Sequence, residues 1–179
     1  MSHASQILDP TGREDVNQNS TLAPRARPLE GATVGLLDNG KVNGANLLES
    51  LGRLLRDSQG VGEVILFHKP YAGQPVDGDQ RKEIASTCDF VVTAIGDCGS
   101  CSAATLADGI LLERDGVPAA SICTEPFAVT AAAMAQLQGF PGYRFVRTKH
   151  PVASLSQEEL DGRAREIAPE VLGVWGVVS

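Results

Sequence analysis

From Thr33 onward the chain alternates short apolar runs with stretches of helical periodicity, and this alternation limits its possible folds more than any other feature. Residues 33–37 form the first run and predict a strand. After Asp38, Asn39 and Gly40, the residues Leu47, Leu48, Leu51, Leu54 and Leu55 recur at the spacing of one helix face. The unit then repeats. Residues 63–67 predict a second strand, 80–86 a short helix and 89–95 a third strand, followed by a helix whose apolar side carries Ala103, Leu106, Ala107, Ile110 and Leu111. Gly116 and Pro118 punctuate before a fourth strand at 119–123, an alanine-rich helix covers 126–138, and 143–146 is a weaker fifth strand. The last helix opens at Ser156-Gln157-Glu158-Glu159, a capping box in which Ser156 and Glu159 satisfy each other's free amides.

Strands alternating with helices pair in parallel, because each crossover helix returns the chain to the same edge of the sheet. The expectation is an α/β fold: a single three-layer domain over residues 31–179 with a mainly parallel sheet of four to five strands, racemase-lobe or flavodoxin-like. With 179 residues and about 100–200 residues per domain, the chain holds one such unit and a tail. Residues 1–30 are rich in Ser, Asn, Gln, Asp and Arg and lack apolar periodicity, which reads as a flexible N-terminal arm able to pack on a neighbouring subunit.

Fifteen Lys and Arg stand against 22 Asp and Glu, a formal net charge of −7 with no basic run. Nucleic acid and anionic membrane surfaces are therefore excluded as main partners. The longest apolar runs, 91–95 and 110–112, fall far short of the roughly 20 residues that span a bilayer. Residues 1–28 lack the layout of a secretory signal, so a cytoplasmic location is expected. In a reducing compartment the cysteines at 88, 98, 101 and 123 do not form a disulfide framework, and chemistry or burial must explain them.

In a parallel sheet the carboxyl ends of all strands open onto one edge, where such sheets bind ligands. That edge collects Asp38, Asn39 and Lys41 after the first strand, His68 and Lys69 after the second, and Asp97 and Cys98 after the third. Thr124 and Glu125 follow the fourth, and Lys149 and His150 lie just beyond the fifth. The lysines at these ends, Lys41, Lys69 and Lys149, favour a small anionic ligand despite the acidic balance.

The sharpest segment is Gly96-Asp97-Cys98-Gly99-Ser100-Cys101-Ser102, between a buried strand and a helix start. A helix N-terminus favours thiolate, the attacking form of cysteine, which makes Cys98 the candidate nucleophile. Gly96 and Gly99 allow a tight turn and close approach, and the amides of Gly99, Ser100 and Cys101 can hold an oxyanion or carboxylate. Cys101 lies one turn on and is placed to resolve an adduct on Cys98. Asp97, His68 and His150 are the candidate proton carriers. Asp38, Asn39, Lys41, Asn43 and Thr124 are candidate substrate contacts, with turn and cap roles as the ordinary alternative. Cys88 and Cys123 sit in or beside apolar runs and read as buried hydrophobes. No second paired knuckle accompanies the Cys98 and Cys101 spacing, so no metal site is expected. Only 4% of residues are aromatic and GxGxxG is missing, so no flavin or dinucleotide cofactor is expected.

Cys98-Gly99-Ser100-Cys101-Ser102, following the strand at 90–95, resembles the family named for its UGSC motif, in which selenocysteine or cysteine precedes Gly-Ser-Cys. Asp38-Asn39-Gly40-Lys41 with Asn43, Asp108-Gly109-Ile110 with Glu113 and Gly116-Val117-Pro118, the step at 124–127, and His150-Pro151 are similar to the landmarks of that family. The resemblance runs from about Thr33 to the C-terminus. The first strand and the cysteine loop are also similar to one lobe of the aspartate/glutamate racemase superfamily. What the resemblance implies is a redox-active site, with cysteine here at the position where some members carry selenocysteine.

The first functional expectation is a cysteine-dependent thiol oxidoreductase acting on a small, anionic substrate, with Cys98 attacking, Cys101 resolving and an external thiol as reductant. The alternatives are non-redox covalent cysteine catalysis of racemase, lyase or hydrolase type on a small carboxylate, and one subunit of a two-chain enzyme. A single racemase-like lobe leaves its cleft open, so a homodimer or a related second subunit is expected. Both cysteines are essential under the first expectation, and Cys98 alone under the second.

Overall fold

The structure is a computed structural model and describes residues 21–25 and 28–177. Its elements run β1 (Thr33–Asp38), α1 (Gly44–Gln59), β2 (Glu63–His68), α2 (Gly78–Thr87), β3 (Phe90–Gly96), α3 (Gly99–Arg114) and β4 (Ala119–Thr124). A 3-10 turn (Glu125–Phe127), α4 (Ala128–Leu137), β5 (Val146–Thr148) and α5 (Gln157–Trp175) follow. Every strand pair is parallel, in the order β2-β1-β3-β4-β5. That is the doubly wound, flavodoxin-like order. The α/β expectation holds, with five strands. No helix among the described residues is long and apolar enough to cross a membrane.

The chain steps from β1 outward to β2, and every later crossover steps the other way. Right-handed crossovers then put the helices on both faces. On one face Val34, Leu36, Phe90, Val92 and Ile122 meet α1 through Leu47, Leu51 and Leu55, and α5 through Leu160, Ile167 and Val171. Trp175 closes that layer. It is fully buried, donates from Nε1 to the Val91 carbonyl at 3.2 Å and lies 5.1 Å from the Phe90 ring, a contact worth about 0.5–1.5 kcal/mol beyond area burial. On the other face Val91 packs with Ile84 of α2 and Leu112 of α3, while Cys123 joins Leu106, Ile110, Ala131 and Ala135. Because both faces are covered, β3 and β4 are buried along their whole length, which is why they read as mainly apolar runs, with the hydroxyls of Thr93 and Ser121 bonded to each other and to the Thr105 carbonyl.

Two elements differ from the sequence expectation. The fifth strand spans Val146–Thr148, three residues later than its start at 143 predicts. Tyr143 instead anchors a loop: its hydroxyl donates to the Ala119 carbonyl at 3.2 Å, and its ring meets Phe140 edge-on. Aromatic β-propensity is satisfied there by packing rather than by pairing. Likewise Pro126 lies in the 3-10 turn ahead of α4. The predicted capping box is present at α5, with Ser156 Oγ accepting from the Glu159 amide and Glu159 Oε2 accepting from the Ser156 amide at 2.7 Å.

Of the expected arm, residues 1–20 and 26–27 lie outside the described residues. Residues 21–25 are tied to this chain's own α3 at Glu113, near its C-terminal end. There Glu113, a buried carboxylate, accepts from the Ala23 amide at 2.7 Å, from the Arg25 guanidinium at 2.6 and 2.9 Å, and from the Ala119 amide at 2.9 Å. A carboxylate satisfied on both oxygens tolerates such burial.

Candidate functional site

The winding direction reverses between β1 and β3, so α1 and α3 leave the carboxyl edge on opposite faces and a crevice opens between them. Its walls are Asp38 and Asn39 at the end of β1 and Gly96, Asp97 and Cys98 at the end of β3. The turn into α3 requires glycine at 96. A Cβ there would lie 2.8 Å from the Cα of Ser102 and press on Cys123 Sγ, so α3 starts this close to the sheet only because position 96 has no side chain. Gly99 has no such constraint, since a Cβ on it would meet nothing within 4 Å.

Cys98 is the N-cap of α3 and Cys101 is its third residue. A disulfide joins them, with Cα atoms 5.3 Å apart. Cys98 is partly exposed and Cys101 is buried, so the first residue of the pair is open to solvent and the second is covered. Cys98 Sγ accepts from the Cys101 amide at 3.3 Å and lies 3.7 Å from Ser100 Oγ. When the disulfide opens, that amide and the helix N-terminus stabilise negative charge on Cys98. The Cys101 amide is thereby spent, which corrects its expected role as a ligand donor and leaves those of Gly99 and Ser100. The other two thiols stay protonated, because burial, aided by Asp89 at Cys88, pushes Cys88 and Cys123 up to about 12.

Beside the cysteines stands a His–carboxylate pair. His150 Nδ1 lies 2.7 Å from Asp97 Oδ1 and 3.4 Å from Thr124 Oγ1, and the Thr124 hydroxyl donates to the Gly96 carbonyl at 3.2 Å. The carboxylate assigns the hydrogen to Nδ1 and leaves Nε2 as the free acceptor of the neutral ring. Asp97 is only 12% exposed, whereas His150 is 39% exposed and reaches solvent. Thr124 is fully buried and bonded on both sides, so it supports His150 rather than offering a free hydroxyl to a ligand. A second pair lies across the crevice, where His68 Nδ1 sits 3.0 Å from the buried Asp38 Oδ2. Asp38 Oδ1 is buried with no hydrogen-bond partner among the described residues.

Two expected substrate contacts, Asn39 and Asn43, and two of the strand-end lysines are occupied by the fold. Asn39 Nδ2 donates to the Ile95 carbonyl at 2.9 Å and to Thr105 Oγ1 at 3.3 Å, while its Oδ1 accepts from the Lys41 amide. Its side chain braces β1 against β3 and α3. Asn43, held at φ 64°, donates to the carbonyls of Val152, Ala153 and Leu155 and so fixes the loop that follows His150. Lys69 is buried in an ion pair with Asp108, and Lys149 pairs with Glu166 at 3.6 Å. Of the three strand-end lysines, Lys41 alone has no ion-pair partner among the described residues. The roles of Asp108 and Glu113 escape a motif-by-motif reading. Their signal is a charged side chain in an otherwise apolar helical run, Asp108 between Ala107 and Ile110 and Glu113 after Leu112.

The profile of the UGSC family matches residues 6–177. No curated protein matches the sequence. Among solved structures, a flavodoxin-like domain of a Synechococcus sp. protein is similar at 13% identity, with 79% of this chain and 99% of that chain covered and a TM-score of 0.40. The diflavin flavoprotein A3 of Nostoc sp. is similar at 12% identity, with 80% and 95% covered and a TM-score of 0.42.

Proposed function

This chain belongs to the UGSC family, and from that premise we propose that it is a cysteine-dependent thiol oxidoreductase in which Cys98 attacks and Cys101 resolves. One observation carries the reading. Cys98 and Cys101 are paired across the first turn of α3, at the carboxyl edge of the sheet, with Cys98 partly exposed and Cys101 buried. In the reduced state His150 Nε2 takes the proton of the Cys98 thiol, the Cys98 thiolate attacks one sulfur of a small disulfide, a new S–S bond forms and the leaving thiolate takes that proton from His150. The Cys101 thiol then attacks Cys98 Sγ, loses its proton, expels the second substrate thiol and leaves the 98–101 disulfide. Two equivalents of an external thiol reduce that disulfide and are themselves oxidised, which closes the electron balance. Asp97 orients His150, and Lys41 with the amides of Gly99 and Ser100 favours an anionic substrate.

Non-redox covalent catalysis on a small carboxylate is the second reading, and the buried, unpartnered Asp38 Oδ1 favours it as an acceptor that a substrate N–H or O–H would satisfy. Either chemistry is suited to a homodimer or a related second subunit that covers the open crevice.

Intact-mass measurement separates the readings. Protein exposed to a small disulfide should be lighter than reduced protein by two hydrogens, and Cys101→Ser should trap a mixed disulfide on Cys98. A wild-type mass unchanged by disulfide, with no adduct on the variant, would contradict the redox reading.

A further inference from the structure

Lys69 and Asp108 form an ion pair in which each side chain is only 1% exposed. Desolvation makes buried pairs poor stabilisers, and apolar residues of similar volume often replace them without loss. Its contacts suggest a different use. Lys69 Nζ also donates to the Gln74 carbonyl at 2.8 Å, and the second oxygen of Asp108 accepts from the Val76 amide at 2.7 Å. One carboxylate on α3 therefore fastens both ends of the β2–α2 loop. Between those anchors, the loop backbone at Gly73 passes the N-terminus of α3 so closely that a Cβ on it would lie 3.6 Å from Ser100 Cβ and Oγ. Ser100 Oγ is in turn 3.7 Å from Cys98 Sγ. The same loop carries Tyr71, an aromatic side chain left 66% exposed.

We propose that Lys69 and Asp108 are positioning residues for the cysteine site: they hold residues 70–75 as a fixed wall beside Cys98, and that wall sets access to its sulfur. The proposal rests on Cys98 being the reacting thiol. Neither residue touches a substrate. The pair acts through the loop, and the loop acts through Ser100.

The test uses the full chain carrying both Lys69→Met and Asp108→Asn, which removes the two charges together and leaves neither buried alone. Under reducing conditions the rate of Cys98 alkylation by iodoacetamide should rise at least threefold, while the urea unfolding midpoint stays at the wild-type value. An unchanged alkylation rate in a folded double variant overturns the proposal. A second variant, Pro70→Gly with Pro75→Gly, slackens the loop at two exposed positions and leaves the pair intact. It should accelerate alkylation in the same way, and failure to do so overturns the proposal even where the double variant does not fold. Alkylation needs no turnover, so this result is independent of the proposed activity. With a small disulfide as probe, kcat/KM of the double variant should rise at least threefold, in step with alkylation. Absence of turnover in the wild type would refute the oxidoreductase reading and leave the alkylation result standing.

Discussion

Replacing Asn39 with Ala separates a brace from a ligand contact, because the two roles predict opposite results. The side chain is 2% exposed, and its amide ties the Ile95 carbonyl at 2.9 Å and Thr105 Oγ1 at 3.3 Å. Removal leaves both partners buried and unpaired, and each such group costs about 1–3 kcal/mol. With one group relaxing partly, the loss is about 2–4 kcal/mol. For a chain of this size each kcal/mol moves Tm by about 2–4 °C, so the variant should melt about 5–15 °C lower. Circular dichroism melts give that shift, and KM measured well below the new Tm should stay within a factor of three of wild type. Asn39→Asp should be worse than Asn39→Ala, because it replaces the donor with a carboxylate oxygen facing the Ile95 carbonyl. A Tm within 2 °C of wild type together with a tenfold rise in KM would refute the brace and restore Asn39 as a substrate contact.

His150→Asn should lower turnover at least a hundredfold, within the range of about 10²–10⁴ for general acid–base groups, and leave Tm nearly unchanged. Asp97→Asn should retain more activity than His150→Asn, since the ring keeps its free Nε2 and loses only the carboxylate that orients it. In native, reduced protein near pH 8, iodoacetamide should label Cys98 and leave Cys88 and Cys123 unmodified until denaturant is added, as peptide mass mapping will report. Acid stability follows from α5. The backbone and side chain of Ser156 hold the Glu159 carboxyl below its ordinary range, and Ser50 and Gln157 do the same for Asp161. A carboxyl depressed in the folded state contributes stability that is complete above its unfolded pKa of about 4 and lost as pH falls through the folded value. The urea midpoint should therefore be flat from neutrality to about pH 5 and fall below pH 4, with a shallower fall in Glu159→Gln.

The architecture was legible because its signals are local. Apolar runs in β1, β3 and β4, the leucine spacing of α1 and the capping box of α5 each lie within one element. The fifth strand is predicted three residues too early because Tyr143 and Phe145 have the propensity of strand residues, while they pack with α3, α4 and β4. At the site, the strand-to-helix setting of Cys98 and the burial of Cys88 and Cys123 follow from position in the chain. The spent side chains do not. Asn39, Asn43 and Lys69 lie at a ligand edge and carry ligand-like groups, yet their partners are 56, 109 and 39 residues away, and only tertiary packing brings them together. Charge alone cannot distinguish a lysine that binds a ligand from one that clamps a loop.

Steady-state turnover of Cys101→Ser with a small disulfide and an external thiol, beside wild type and Cys98→Ser, tests the two-thiol assignment most directly. The two-thiol site predicts that both variants fail in multiple turnover, with Cys101→Ser stopping after one equivalent of mixed disulfide on Cys98. Full multiple-turnover activity in Cys101→Ser, with Cys98→Ser inactive, would contradict it.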